Sequence, residues 1–328
     1  MRRAAPSRLG TFCLLFVVLS VYLIDNTIYK YDGEPKMTDL PLELDHVGLA
    51  IRDLEVGRQT YDKLGFTLTS RSIHSGSREP GGPVEPFGSG NHCAMFETGY
   101  FEVMGLTDPN LYSSALGMLE KYEGAHITAF GSGEAENAYK ALSSRLEGVQ
   151  PARRLERDAA FGVNDEETRR AAFNNITVDQ AVFPEAKLIF IEHETRDVLW
   201  QPHLMDHPNG AVSIAEVALC VEDVEATCGK LGKLFGMEPK APMPGVSVFG
   251  LPHGNVYVLN PDGLNGWTPG VTPPYMPYVS AVGFGVKDLE ATKALLDGNG
   301  VPYTAHKYPA IWIAPEHTCG PVVSFIQA

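Results

Sequence analysis

The chain has 328 residues, of which 44% are hydrophobic and 20% are charged. This composition is typical of a soluble globular protein, and the length suffices for two domains of ordinary size. A formal net charge of −14 and a sequence pI near 5.1 argue against nucleic acid and anionic lipid as the main partners. The five cysteines contain no CxxC pair, which favours a reduced, cytoplasmic protein without structural disulfides.

Residues 1–36 differ in composition from the rest of the chain: three arginines precede an apolar run over residues 11–24. That run is short for a membrane span, which needs about 20 residues. A signal peptide, a single-pass anchor and an upstream extension before Met37 are three open interpretations. We expect a cytoplasmic protein; the alternative is a membrane-anchored or secreted one, with membrane contact only through residues 11–24.

The first recurring element is a strand that begins at His46 and leads, through Asp53, into a helical pattern. The same pattern returns at residues 216–225 and 281–290, each time with Val and Asp six positions apart. An Asp in this place suits a helix N-terminus. A fourth, degenerate copy begins at His126 and continues into a helical run from about Glu134 to Leu146. The chain therefore contains four related units.

Each helical pattern is followed by extended segments between turns. They cover residues 67–72, 91–97 and 100–106 in the first unit, 153–159, 171–175 and 187–193 in the second, 246–249 and 256–259 in the third, and 303–306, 310–313 and 322–326 in the fourth. The pattern predicts an α+β fold of four βαβββ modules. Pro208-Asn209-Gly210 divides the chain between the second and third modules.

Four modules with this opening resemble the vicinal oxygen chelate (VOC) superfamily, and in particular its glyoxalase-like members, over about residues 42–328. The resemblance implies two half-open mixed β-barrels with helices outside, an N-terminal VOC domain at 42–205 and a C-terminal one at 211–328. It also implies a divalent metal held at the start of the first strand and the end of the last strand of each module.

Under that rule the first module offers His46 and Glu102, and the second offers His126 with Glu192 or His193. Neighbouring residues of a strand point to opposite faces, so only one of Glu192 and His193 can be a ligand, and the pattern leaves the choice open. The last two modules have Glu216 and Ala281 in place of the histidines. We therefore expect the C-terminal pair of modules to be a structural or substrate-shaping partner of the N-terminal pair.

Two imidazoles and one or two carboxylates suit Fe(II), Mn(II), Zn(II), Ni(II) or Co(II). Glu102 or Glu192 is the candidate general base. His92 and Arg78 are candidate substrate contacts. The sequence Gly131-Ser132-Gly133 lacks the lysine and the full glycine pattern of nucleotide-binding loops, so no nucleotide cofactor is expected.

The leading hypothesis is a metal-dependent glyoxalase-like lyase or isomerase that acts on a small α-oxygenated substrate. An Fe(II) extradiol-type ring-cleaving dioxygenase is the second hypothesis, and a non-catalytic small-molecule-binding VOC protein of the resistance type is the third. A small molecule is the expected partner, and a homodimer is left open.

Overall fold

The computed structural model of the protein describes residues 40–78, 82–306 and 308–328. The predicted N-terminal segment, residues 1–36, lies outside them. Within this part of the chain, no helix is long and apolar enough to cross a membrane.

The described residues up to Leu199 form eight strands and four helices. In chain order they are β1 (Glu43–Ile51), α1 (Leu54–Lys63), β2 (Ser72–Gly76), β3 (Glu85–Met95), β4 (Tyr100–Leu106), α2 (Leu116–Leu119), β5 (Gly124–Gly131), α3 (Ala135–Arg145), β6 (Arg153–Phe161), β7 (Glu167–Thr177), β8 (Lys187–His193) and α4 (Arg196–Leu199).

The second half repeats this order after a 3₁₀ turn at Pro202–Leu204. Its elements are β9 (Ala211–Cys220), α5 (Val224–Phe235), β10 (Lys240–Met243), β11 (Val246–Gly250), β12 (Asn255–Leu259), α6 (Pro261–Trp267), β13 (Tyr278–Val286), α7 (Leu289–Gly298), β14 (Thr304–Ala305), β15 (Ala310–Ile313) and β16 (Val322–Gln327).

The strands pair in the same way in all four modules. The first strand of each module lies parallel to its last strand, as β1 does to β4, β5 to β8, β9 to β12 and β13 to β16. The first strands of neighbouring modules pair antiparallel, β1 with β5 and β9 with β13. The sheet remains open at its edges. The predicted α+β fold of four βαβββ modules in half-open barrels is confirmed.

The helix starts follow the aspartates that the sequence pattern singled out. The side chains of Asp53, Asp223 and Asp288 accept hydrogen bonds from backbone N–H groups in the first turns of α1, α5 and α7. The degenerate second module has no such Asp. There the Glu192 carboxylate of β8 accepts from the backbone N–H of Ala135 at 3.1 Å, and so replaces the missing cap of α3.

Two local predictions differ from the structure. The segment predicted at 67–72 becomes a strand only from Ser72. Before that point, the backbone N–H of Thr67 bonds to the His207 side chain, and only the N–H of Thr69 reaches β3, at the backbone carbonyl of Cys93. Helix α6 was not predicted. It begins after Asn260, whose side chain accepts from the backbone N–H of Gly263.

Alternate residues of each first strand face two different environments. On β1, Val47, Leu49 and Ile51 join the large core cluster that packs under the helices and continues through both halves of the protein. Ala50 belongs to a smaller cluster on the opposite, concave side of β1, β4, β5 and β8. We call this side the N-terminal concave face. The corresponding side of β9, β12, β13 and β16 carries a third cluster and is the C-terminal concave face.

Candidate functional site

Polar side chains concentrate on the N-terminal concave face. Strand β1 is opposite β4 in a register that pairs His46 with Tyr100 and Gly48 with Glu102. Because side chains alternate between the two sides of a strand, all of these residues share the face of Ala50. On β8 the same alternation brings Lys187 and His193 to this face beside Ile189 and Ile191. The face therefore collects residues from both N-terminal modules.

The first polar group is the Asp45 cluster, made of Asp45, His46 and His193. His46 Nδ1 donates to Asp45 Oδ1 at 2.7 Å, and His193 Nε2 donates to Asp45 Oδ2 at 3.2 Å. The carboxylate is only 4% exposed. Burial alone would raise the pKa of Asp45, but the hydrogen bonds from His193 and His46 outweigh it and hold the pKa well below the usual range. Asp45 is therefore ionised and orients both rings.

Aromatic side chains fix the two imidazole rings. His46 stacks on Tyr100 with ring centroids 4.3 Å apart. The indole of Trp200 lies edge-on to His193 at 4.9 Å, and its N–H donates to the backbone carbonyl of Phe96. His193 Nδ1 is buried and has no hydrogen-bond partner among the described residues. Buried polar atoms normally have a hydrogen-bond partner, so this nitrogen marks a position where a ligand could bind.

The second polar group is the charged cluster, made of Glu102, Lys187, Arg157 and His74. The amide nitrogen of Asn91 donates to Glu102 Oε1. The charge of Glu102 acts on Lys187 and on His74, and Arg157 and Lys187 also act on His74. Arg157 reaches from β6 across the opening of the barrel, where its Nη1 donates to Ser72 Oγ at 3.2 Å. One carboxylate thus lies among two cationic groups and an imidazole.

Burial decides how these neighbours ionise. It lowers the pKa of Lys187, and the Glu102 carboxylate opposes that change. It also lowers the pKa of His74, so this ring is neutral near pH 7. Burial raises the pKa of the Cys93 thiol, which faces Glu102 on the neighbouring strand, to about 12. Cys93 is therefore an uncharged side chain that lines the site, and it does not act as a nucleophile.

Strand register separates Glu192 from His193. His193 is opposite Phe173 on β7 and points to the concave face, whereas Glu192 is opposite Asn174 and points to the helix side. There Glu192 accepts from Asn174 and from the N-terminus of α3. Of the two alternatives for the second module, only His193 lies on the same face as His46 and Glu102.

His126 does not hold the position of His46, because each of the two strands contains a bulge. Asp45 is the extra residue on β1, and His126 is the extra residue on β5. Ile127 is opposite Lys187 just as His46 is opposite Tyr100, so Ile127 corresponds to His46. His126 Nε2 donates to the backbone carbonyl of Tyr122 at 3.0 Å, and the two rings stack at 3.9 Å.

The two predicted substrate contacts lie apart from these clusters. His92 is opposite Val103 on the helix side of β3, donates from Nδ1 to the backbone carbonyl of Thr69 at 2.7 Å, and lines a cleft beside α1. Arg78 is exposed, lies 3.5 Å from Glu85 and covers the ring of Tyr112. The structure does not bring either residue to His46, Glu102 or His193.

The predicted ligands can be tested against the metal that the resemblance implies. The set of His46, Glu102, His126 and Glu192 does not fit one metal ion. The side chains of His126 and Glu192 make their hydrogen bonds away from His46 and Glu102, to the backbone of Tyr122 and of Ala135. In the described part of the chain, no three His, Cys, Asp or Glu side chains are arranged to hold a metal. His46, Glu102 and His193 share a face, but they do not converge on one point.

Sequence reasoning missed most of the residues around Glu102. Asn91 could have been found, since it is two positions from Cys93 on a predicted strand and shares its face. Asp45 adjoins His46, and a carboxylate beside a histidine is a common orienting pair. Lys187, Arg157 and His74 come from three strands that meet only through the tertiary fold, so no local signal identifies them.

The model of a family described as Glyoxalase-like domain matches residues 44–235, more than half of the chain and including both clusters. No curated protein matches this sequence.

Several solved structures share the fold at low sequence identity. A hypothetical protein from Staphylococcus aureus is 14% identical with a TM-score of 0.58, and the match covers 88% of this chain and 100% of that one. A mutant of 4-hydroxymandelate synthase from Streptomyces coelicolor is 13% identical with a TM-score of 0.54, covering 88% and 93%. A xylose isomerase-like TIM barrel/4-hydroxyphenylpyruvate dioxygenase fusion protein is 13% identical with a TM-score of 0.54, covering 92% and 52%.

These likenesses support the VOC fold, and the family match extends over the module pair that carries the polar clusters. The chain belongs to the Glyoxalase-like domain family.

Proposed function

We propose that this protein is an enzyme that binds a small, anionic, oxygen-bearing substrate on the N-terminal concave face and moves a proton with Glu102. The observation that carries the proposal is the charged cluster, in which one carboxylate lies among Lys187, Arg157 and His74 on a partly buried face. A carboxylate with cationic neighbours suits proton abstraction next to a carbonyl group, since the base and the charge that stabilises the product lie together.

Each residue of the site has a defined task in this reaction. Asn91 holds one oxygen of Glu102 by a hydrogen bond, which leaves the other oxygen free to accept a proton from the substrate carbon. Lys187 and Arg157 attract the substrate's anionic group and stabilise the enolate oxygen that develops as the proton leaves. The apolar floor formed by Ile127, Ile189 and Ile191 limits access of water to the reacting carbon.

Replacing Lys187 by Met tests the anion-binding part of the proposal. We expect the variant to bind 2-oxo and 2-hydroxy carboxylic acids at least tenfold more weakly, because the substitution removes a buried positive charge beside the bound anion. Binding is measured by calorimetry with a panel of these acids. Lys140→Met, at an exposed site on α3, is the matched control and should leave the affinity unchanged. Equal affinity in both variants would refute anion binding at this cluster.

His46, His193 and Glu102 share the concave face but do not converge on one point in this structure, so they could hold a divalent metal only if the three side chains moved together. Each imidazole donates one N–H to Asp45 and keeps the lone pair of its other nitrogen available to a metal, an arrangement that is common among metal-binding histidines. A bound metal would supply polarisation of a substrate oxygen.

Metal content distinguishes this smaller ligand set from the one predicted by sequence pattern. For protein purified without chelators, we expect His46→Ala and His193→Ala to lower the molar metal content at least fivefold relative to the wild-type protein. His126→Ala and Glu192→Gln should leave it unchanged, because those side chains are bonded elsewhere. Elemental analysis of the five proteins is the measurement. Loss of metal in the His126 variant would support the ligand set predicted from the sequence. A metal-free wild-type protein would show that this face holds no metal.

A ring-cleaving or other oxygenase is the second candidate, since two imidazoles and one carboxylate on one face are the ligand types of Fe(II) oxygenases. Oxygen consumption separates it from the first candidate. An Fe(II)-loaded protein that consumes oxygen with catechols, or with the 4-hydroxyphenylpyruvate named in one fold relative, would favour oxygenase chemistry over proton transfer.

A further inference from the structure

The C-terminal concave face carries a buried carboxyl group that the proposed reaction does not use. Glu216 on β9 is 7% exposed and shares this face with Ala218 and Cys220. Its side chain lies across Gly283 of β13, where a Cβ atom would come within 2.4 Å of Glu216 Cγ. Burial raises the pKa of Glu216 to about 8, and no charge or hydrogen bond from a described residue offsets that effect.

Other polar atoms on this face also lack partners among the described residues. Ser324 of β16, opposite Gly283, is 1% exposed, and its hydroxyl oxygen has no hydrogen-bond partner in the described part of the chain. His306 Nε2, at the edge of the same face, is buried and equally without a partner. Buried polar groups cost free energy unless they are hydrogen-bonded, so two such atoms near a lone carboxyl group indicate a site built for a ligand.

Aromatic rings form the walls around Glu216. Trp312 of β15 is opposite Ser324, and Tyr257 of β12 is opposite Ala218, the next residue on the same face two positions after Glu216. The rings of Tyr257 and Trp267 are 5.3 Å apart. The Trp267 indole N–H donates to the Tyr308 hydroxyl at 2.8 Å, which fixes the indole at the rim. The floor between them consists of three small residues, Ala218, Ala281 and Gly283.

We propose that the C-terminal concave face is a second ligand site, which takes a small organic cation whose ammonium group pairs with Glu216 between Tyr257, Trp267 and Trp312. A cation removes the cost of the unpaired carboxylate, and the negative faces of the aromatic rings attract it further. The net charge of −14 favours the approach of cations over that of anions. This site is separate from the anion-binding charged cluster and goes beyond the proposed function.

Binding of an ammonium group must compete with the proton on Glu216. Below about pH 8 the carboxyl group is protonated, so the affinity for a permanent cation should rise up to tenfold per pH unit between pH 6 and 8. The other described groups on this face whose pKa is shifted are His306, Cys220, Tyr257 and Tyr278, and none of them titrates in that range. Burial lowers the pKa of His306 to about 4, raises that of Cys220 to about 12 and raises that of Tyr257 further still.

The experiment is a titration of the full-length protein with tetramethylammonium chloride at pH 6, 7 and 8, at constant ionic strength with sodium chloride. We expect saturable quenching of tryptophan fluorescence with an affinity that rises with pH. Glu216→Gln should lower the affinity at least tenfold and remove its pH dependence, and Trp267→Phe at the rim should lower it several-fold. Glu102→Gln, in the N-terminal site, should bind like the wild-type protein.

Two outcomes would overturn the proposal. The first is that the wild-type protein does not bind, and the second is that Glu216→Gln binds with unchanged affinity and pH dependence. If Glu216→Gln does not fold, Trp267→Phe and the pH series of the wild-type protein decide the question.

Discussion

Glu102→Gln is expected to lower the rate of substrate proton exchange at least 100-fold while leaving substrate affinity within a factor of about three. The substitution keeps the size of the side chain and its capacity to accept from Asn91, but an amide cannot take a proton from carbon. General-base catalysis typically contributes about 10²- to 10⁴-fold to a rate, so the loss should be of that order.

Proton exchange can be measured without knowing the final product. The protein is incubated in D₂O with 2-oxo acids, and deuterium incorporation at the carbon next to the carbonyl group is followed by NMR. Glu192→Gln is the matched control, since Glu192 was an equal candidate base by sequence but lies at the N-terminus of α3. Full exchange activity in Glu102→Gln, or an equal loss in Glu192→Gln, would contradict the assignment of Glu102 as the base.

Gly99→Ala is expected to destabilise the protein by roughly 3–5 kcal/mol, from backbone strain and overpacking together. Gly99, in the turn between β3 and β4, has φ of +78° and lies directly against the bulge that presents Asp45. A Cβ atom there would come within 2.0 Å of the Asp45 backbone carbonyl oxygen. Backbone cannot yield as a flexible side chain can, so the substitution must shift the bulge and with it the hydrogen bonds to His46 and His193.

Gly133→Ala separates strain from clash. Gly133 also has a positive φ, +64°, but a Cβ atom there would meet nothing within 4 Å. Gly133→Ala should therefore lower the free energy of unfolding by only about 1–2 kcal/mol, because a residue with a Cβ is less stable in the left-handed conformation by that amount. Urea unfolding of both variants gives the difference. Equal destabilisation would show that the contact between Gly99 and Asp45 does not constrain the site.

Local patterns predicted the fold well because its signals are local. The spacing of Val47 and Asp53 and its two repetitions identified the strand–helix openings, and the aspartates cap the helices as expected. The boundaries of β8 follow from an apolar run between turn residues, and the structure reproduces the predicted range of 187–193. Period-two alternation also placed Glu102 opposite the helix side of β4, where it is found.

The ligand set was harder to predict because a one-residue bulge moves a side chain to the other face of a strand. Aligning His126 with His46 assumes two regular strands, but each strand carries an extra residue, and the extra residue on β5 is His126 itself. The choice between Glu192 and His193 likewise depends on which face of β8 each side chain occupies, and this is set by the register of β8 with β7 and β5.

The sequence by itself determined the four modules, the presence of a first-strand histidine and a last-strand carboxylate in the N-terminal half, and the absence of a first-strand histidine in both C-terminal modules. Those properties depend on residues close together in the chain, where periodicity and capping act. The tertiary structure alone decided that Asp45 joins His46 to His193, that Lys187, Arg157 and His74 surround Glu102, and that Glu216 is buried among aromatic rings. These contacts arise where strands from different modules meet, so their geometry is set by sheet register and barrel curvature.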